Sequence, residues 1–434
     1  YSNVRYEDDY SFLSDGRGND PFNRLKKIPV GGKVELTFGG QYRFRFERDE
    51  NRRFGASNPQ AQSFYLNRLY VFADAQIAQR VRAFGEFKYA GITDNELPAP
   101  LTAHEKPDIQ NLFAELALVQ RERSKVSLRA GRQELLFGKQ RVIGPSDWLN
   151  SRRTFDALRI TVKQAGWKFD GFAARPLELR PEKINKADKS QTLAGVYAVR
   201  PAKGKTFSGY YLALRENDPI ITNGRGVAGD FMFHTLGLGF DGAARNFDWT
   251  AEAAYQFGDF GGNDIAAYMG SLEGGYTFAP LGLKPRFALG LNLASGDENP
   301  ADARKQTFNQ LFPTAHPFLG WADQVGRQNA RELEAQLSFA PHRRIVAKLH
   351  GFKFLLADKH DALYNAPGAA TRRDATGAAG NEVGTEVDAE VICNFNAHLK
   401  LQLGYVRFMP GEFIKKTGPS KNHSLFYVMA PFTF

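Results

Sequence analysis

The sequence predicts an all-β fold: a transmembrane antiparallel β-barrel of about eighteen strands, with long extracellular loops and short periplasmic turns. Three observations in the 434-residue chain carry that expectation: a sustained alternation of apolar and polar residues, runs longer than soluble sheets use, and connections that alternate between long and short. No stretch approaches the roughly 18 consecutive apolar residues of a membrane-spanning helix. Mean hydropathy is −0.42, so a helical membrane protein is excluded.

Residues 1–30, with Glu7–Asp8–Asp9 and the polar stretch from Asp15 to Pro21, show no sustained alternation. They are expected to form a periplasmic lead-in, or at most a short plug, ahead of a barrel over 31–434. Period two starts at Val34. Val34, Leu36, Phe38, Tyr42, Phe44 and Phe46 share one face, and Glu35, Thr37, Gln41, Arg43, Arg45 and Glu47 share the other. The pattern returns from Phe247 to Phe257 against Asp248, Thr250, Glu252 and Gln256, and from Phe287 to Leu293 against Arg286 and Asn292. It appears again in Val387, Ala389 and Val391 against Glu386, Asp388 and Glu390.

Alternation alone suits a soluble sandwich equally well. Length separates the two, because runs of roughly ten to fifteen residues exceed ordinary strands and meet the need of a bilayer crossing. Long connections are expected near 49–61, 92–108, 134–154, 177–190, 216–230, 296–328, 357–381 and 410–422, with only 259–264 short at that end. Turns are expected near 79–80, 121–124, 165–166, 201–205, 242–246, 279–284, 341–343 and 395–398. This alternation implies about eighteen strands, an even number that returns both termini to the periplasmic side. The last run places Phe426, Val428, Ala430, Phe432 and Phe434 on one face. An alternating final strand closing on Phe resembles an outer-membrane assembly signal. Expected partners therefore include the barrel assembly machinery, together with the lipid and lipopolysaccharide of a bacterial outer membrane.

A barrel of this size leaves an aqueous channel. With the apolar set facing lipid, the inward arginines are Arg43, Arg45, Arg68, Arg82, Arg129, Arg159 and Arg286, joined by Lys88, Lys163 and Lys400. Inward acids include Glu47, Asp74, Glu86, Glu115, Glu252, Glu332, Glu334, Glu386, Asp388 and Glu390. Bases crowd the amino-terminal third and acids the strand at 383–393, so a sided lumen is expected. Guanidinium forks bind carboxylates in a fixed bidentate geometry, and rings of positive charge serve anion pores. With a net charge of +10, the arginines favour an anionic, carboxylate-bearing solute. The alternative is that they pair with the acids across strands and brace the wall.

Other chemistries lack their residues. A single cysteine, Cys393, offers neither an internal disulfide nor a zinc site, and the 8 histidines show no H-E-x-x-H spacing. No fixed metal and no cofactor are expected. Gly237, Gly239 and Gly242 match the dinucleotide spacing, but they end a strand at a hairpin instead of opening a helix. Gly296–Asp297–Glu298–Asn299 reads as a solvated turn. No G-x-S-x-G elbow is present, so no enzyme is expected. A pI near 9.4 suits nucleic acid, anionic lipid or an anionic substrate; arginines placed inside a barrel favour the last, and no nucleic-acid partner is expected.

Two segments carry a resemblance. Leu128–Arg129–Ala130–Gly131–Arg132–Gln133–Glu134–Leu135–Leu136–Phe137–Gly138–Lys139–Gln140–Arg141, with Trp148–Leu149–Asn150 and Arg153–Thr154–Phe155–Asp156–Ala157–Leu158–Arg159, resembles the alginate-export family of outer-membrane barrels. The loop from Phe308 to Asp323, followed by Gly326 and Asn329, is similar to a segment of its broader branch. The resemblance covers most of 31–434. It implies an eighteen-stranded barrel with an arginine-rich pore through which acidic polysaccharide leaves the periplasm. Arg129 and Arg159 carry over as pore lining, whereas Arg132 has outward parity and belongs to the rim unless a bulge resets the register. Arg141, Trp148, Asn150 and Arg153 lie in a loop that folds inward as a constriction, or else acts as a latch tied to the wall by Asp156 and Arg141. Rival readings are a general or small-organic-acid porin, a barrel enzyme, and a barrel subunit of an envelope complex; the sequence names no periplasmic partner.

Overall fold

Period two in the sequence becomes eighteen antiparallel wall strands in the computed structural model, which describes residues 1–15, 18–222, 228–299 and 301–434. The first six are β1 Val34–Glu50, β2 Ala61–Ile77, β3 Val81–Thr93, β4 Glu105–Arg121, β5 Ser124–Gln133 and β6 Phe155–Gln164. Next come β7 Trp167–Glu178, β8 Gln191–Ala202, β9 Lys205–Thr222, β10 Ala228–Ala244, β11 Phe247–Phe260 and β12 Asp264–Thr277. The last six are β13 Arg286–Ala294, β14 Ala330–His342, β15 Ile345–Leu356, β16 Glu382–Asn394, β17 Lys400–Pro410 and β18 His423–Thr433.

Each strand pairs with its sequence neighbour, and the sheet then closes on itself. β1 pairs with β2 from Val34↔Ile77 to Glu50↔Ala61, and its other edge pairs with β18 from Gln41↔Thr433 to Glu50↔Ser424. Phe434 completes the seam by exchanging two backbone hydrogen bonds with Gly40, each 3.0 Å. A closed barrel leaves no unpaired edge, which is the condition for crossing lipid with strands.

Burial is inverted relative to a soluble sandwich, and this decides between the two folds. Leu238, Phe87 and Leu289 stand on the outer face at 72%, 60% and 58% exposure, while Arg68 and Asp388 on the inner face are exposed by 1% and 0%. Apolar side chains face outward over the wall, and the charged set is enclosed.

Short turns sit at 78–80, 122–123, 165–166, 203–204, 245–246, 278–285, 343–344 and 395–399. Among the two-residue turns, Ala165–Gly166 has positive φ at both positions (50° and 81°), as a hairpin of matching twist requires. At the other end the connections are long, apart from 223–227 and 261–263. One expected boundary moves. The connection placed near 216–230 is largely strand, because the two strands stay paired into it, with Glu216 opposite Phe231, Asn217 opposite Asp230 and Thr222 opposite Ala228; residues 223–227 of that connection lie outside the described residues. Ahead of the barrel, 3₁₀ turns at Arg5–Glu7, Ser11–Asp15 and Pro21–Leu25 lead to a short strand, Ile28–Val30, that pairs back on Val34–Leu36.

Candidate functional site

Loop 134–154, between β5 and β6, enters the barrel, and three inward arginines explain why it stays there. Arg43 donates from Nη1 to the Asp147 carbonyl at 2.6 Å and from Nη2 to that of Leu149 at 2.9 Å. Arg45 donates to the Trp148 carbonyl at 2.6 Å, with its guanidinium carbon 4.0 Å from the Trp148 ring centroid. Arg68 donates to the carbonyls of Asp147 and Leu149 and forms an ion pair with the Asp147 carboxylate at 2.9 Å. The amide of Asn150 reaches three further carbonyls, those of Asn67, Gly91 and Ala103, at 3.0–3.1 Å. Lys88 bonds Ser151 at 3.0 Å and Glu105 at 2.9 Å. Exposed loop backbone is tolerable inside a barrel only where its carbonyls find donors, and the amino-terminal arginines supply them.

Loop 295–329, between β13 and β14, meets it from the opposite wall. Here carboxylates take the backbone N–H groups: Trp321 donates to Asp388 at 3.1 Å and Ala322 to Glu386 at 2.9 Å. The basic third and the acidic strand of the sequence thus hold opposite polarities of loop backbone. The two loops are joined directly. Phe312 donates to the Val142 carbonyl, Gly144 to that of Phe312 and Thr314 to that of Gln140, all at 2.9 Å. Arg153 donates to the Pro313 carbonyl at 2.9 Å, and the Trp148 and His316 rings stack at 3.9 Å with 7° between planes. Arg141 reaches β11, with Nη1 3.3 Å from the Thr250 hydroxyl and 3.4 Å from Glu252.

The other expected arginines are inward and paired. Arg82 holds Asp74 at 2.8 Å, Arg129 holds Glu115 at 2.5 Å and Arg159 holds Asp170 at 2.8 Å. Arg286 holds both Asp248 at 2.5 Å and Glu273 at 2.8 Å. Lys163 and Lys400 are exposed near the turns. Arg132 keeps its outward parity, opposite the exposed Leu112, and pairs with Asp156 at 2.9 Å. Asp156 is therefore engaged at the rim, and the loop is tied instead by Arg43, Arg45 and Arg68.

Several lumen groups were not singled out from the sequence. Arg152 bridges Glu134 at 2.9 Å and Asp147 at 3.4 Å. Tyr6 lies inside the barrel, with its hydroxyl donating to the Glu134 carbonyl at 2.6 Å. Arg82 donates to the Tyr6 carbonyl at 2.8 Å, Arg152 donates to that of Asn3, and Arg129 sits 4.4 Å over the Tyr6 ring. The non-alternating sequence before residue 30 carries no signal for this insertion. Among the loop groups, burial alone would raise the Asp147 carboxyl, but Arg68, Arg152 and Arg43 outweigh it and hold it well below the usual carboxylate range. Its side chain is enclosed by the wall yet 49% accessible to lumen water, which tempers each attraction. Burial likewise opposes the charge of Arg152, but Glu134 and Asp147 reverse the balance and raise its pKa. Burial lowers Arg153 to about 10, still charged at neutral pH.

Beside β10–β15 the lumen is less filled. A cavity of about 470 Å³ is lined by Lys139, Arg141, Lys205, Asp241, Thr250 and Phe318 among others, and a second of about 180 Å³ shares Arg141, Glu273 and Phe318.

Comparison with known proteins agrees with this architecture. No curated protein sequence matches the chain. Among solved structures, a BenF-like porin from Pseudomonas fluorescens Pf-5 is 10% identical with a TM-score of 0.60, over 92% of this chain and 99% of that one. Acinetobacter baumannii OccAB4 is 11% identical with a TM-score of 0.59, over 93% and 98%. Pseudomonas aeruginosa OccK11 (OpdR) is 11% identical with a TM-score of 0.58, over 92% and 96%. At these identities the likeness speaks for the fold. Residues 34–428, nearly the whole barrel, match the alginate export family, so this chain belongs to that family and forms a channel in the bacterial outer membrane.

Proposed function

We propose that the protein is a passive channel for anionic solutes, with uronate-bearing, alginate-like saccharides as cargo. Its membership of the alginate export family carries this reading. The net charge of +10 and the inward set Arg43, Arg45, Arg68, Arg82, Arg129, Arg159 and Arg286 support it. Their ion pairs leave these arginines to set the potential of the lumen and to hold loop 134–154. That loop, with Arg141, Trp148, Asn150 and Arg153, is the proposed constriction. The test is the reversal potential of the purified protein in a planar bilayer under a salt gradient, repeated with oligouronates on one side. Anion selectivity with current block is the expected result. Cation selectivity, or current indifferent to oligouronates, overturns it.

One observation favours a second reading, a small-organic-acid porin. Two interlocked loops leave a cavity of about 470 Å³ on the periplasmic side, within the usual range of small-molecule sites. Block by monocarboxylates at the same concentrations as oligouronates would support this reading over the polymer.

A further inference from the structure

We infer that the periplasmic side of the lumen contains a saccharide subsite, in which Arg141 takes a sugar carboxylate and Phe318 takes the face of a sugar ring. This rests on the reading of the protein as a channel for acidic saccharides and locates where such a solute is held.

On the wall of β1–β6 every inward arginine is spent on an acceptor at 2.5–2.9 Å. Around the larger cavity the balance differs. Arg286 already neutralises Asp248 and Glu273, and His350 lies 2.7 Å from Glu334. Lys139 and Arg141 then line it with Asp241, to which Lys139 is only loosely paired at 3.9 Å with its side chain half exposed, and Lys205 borders it at the rim. Arg141 also differs from the arginines of the opposite wall. Its two polar contacts are long, 3.3 and 3.4 Å, and both come from Nη1; its Nε carries no hydrogen bond, as is also true of Arg43 and Arg68. A carboxylate would satisfy the fork better than its present partners do.

The aromatic component is Phe318, at the tip of the loop from the far wall. It is half-buried, borders both cavities and lies 5.2 Å from the Arg141 guanidinium carbon. A ring face beside a cation, with the Thr250 hydroxyl nearby, matches a uronate: an apolar sugar face, a planar carboxylate and flanking hydroxyls. The position fits the direction of export. Lys205 and Asp248 lie within two residues of the turns at 203–204 and 245–246, so a solute from the periplasm meets the lysines first and Arg141 next, before the joined loops.

The full chain, reconstituted in planar bilayers, tests this with a hexameric oligouronate added to the periplasmic side and maltohexaose as the uncharged probe. Wild type should be blocked by the oligouronate and far less by maltohexaose. Arg141→Gln, which retains a donor for Thr250, should weaken the block roughly ten- to a hundredfold, as loss of a charged hydrogen bond does. Phe318→Ala should weaken it severalfold and Phe318→Tyr restore it; a merely structural phenylalanine would not follow that pattern. Lys205→Gln, beside a turn and outside the loops, gives a third measure free of folding effects on the loops. If wild type is neither anion-selective nor blocked, the channel reading fails and the subsite with it. If wild type is blocked and all three substitutions leave the block unchanged, the subsite alone is overturned.

Discussion

Two halves of one lumen, built by the same alternation, end in opposite states. Beside β1–β6, arginines, carboxylates, loop carbonyls and the inserted Tyr6 fill the space with short contacts. Beside β10–β15, the inner face carries Thr250, Asn292 and Gln336 among carboxylates such as Glu252, Glu273 and Glu334, and cavities of about 470 and 180 Å³ remain. The lesson is that arginine density on a wall does not measure the charge offered to a solute. An arginine that caps a carbonyl or a carboxylate is structural, and its influence reaches the solute only through the overall potential. The half with fewer cations on its wall is the one that borders the loosely engaged pair, Lys139 at 3.9 Å from Asp241 and Arg141 at 3.4 Å from Glu252.

The difference between the halves is lost most fully if the filled half loses an anchor. Arg68→Ala leaves the Asp147 carboxylate with one guanidinium fewer, at an expected cost of about 3 kcal/mol, the lower end for a broken buried pair because Asp147 keeps contact with water. Denaturant titration of the protein folded into lipid vesicles reads that cost, and noisier single-channel current should accompany it; an unchanged midpoint would contradict the anchoring role. Tyr6→Ala removes the aromatic insert and its hydrogen bond to Glu134. It should cost about 3 kcal/mol and raise conductance through the filled half. A variant with wild-type conductance would mean that half carries no current in either state.

A charge placed on the outer wall tests the faces assigned to both halves. Leu238→Arg, on the strand behind the larger cavity, should cost about 2–4 kcal/mol if the residue lies near the bilayer midplane. Little effect would move the lipid boundary. Acidification acts on the filled half more gently. Because the folded pKa of Asp147 is lowered, its contribution is complete above the unfolded value of about 3.9 and is lost only as pH falls through the depressed folded value. Current noise should therefore stay flat from neutral pH down to that unfolded value and rise below it, whereas Asp147→Asn should be noisy throughout. Smallest of all is Arg215→Ala. Its pair with Asp230, at 2.6 Å, is open to solvent, and its loss should change stability by about 0–1 kcal/mol in the same titration.

What could be read in the sequence was whatever repeats locally. Phe38 and Tyr42 against Gln41 and Arg43 announce a two-faced strand, and the same rhythm, interrupted by short and long polar stretches, gives eighteen strands and their turns. The connection expected at 216–230 is mostly strand because Glu216, Asn217 and Asp230 are polar like loop residues yet pair across a hairpin stem, Glu216 opposite Phe231 and Asn217 opposite Asp230. The interior was less legible, since its partners are far apart and one of them is often backbone. Arg43 binds carbonyls 104 to 106 residues away, and a carbonyl leaves no mark in a sequence. The capture of Trp321 and Ala322 by Asp388 and Glu386 likewise joins a loop to a strand with no shared pattern. The inward parity of Arg129 and Arg159 is readable; that each meets an acid on a neighbouring strand, Glu115 before and Asp170 after, is one of two readings the sequence allows.

The join between the two long loops also has a mechanical meaning. Held by hydrogen bonds at Val142, Gly144 and Gln140 and by the stacked Trp148 and His316, the loops form a tie-rod from the β1–β2 wall to β16. A tie-rod cannot lengthen by degrees. It is seated at both ends or released, so current through this barrel should switch between two levels, with the loops moving as one.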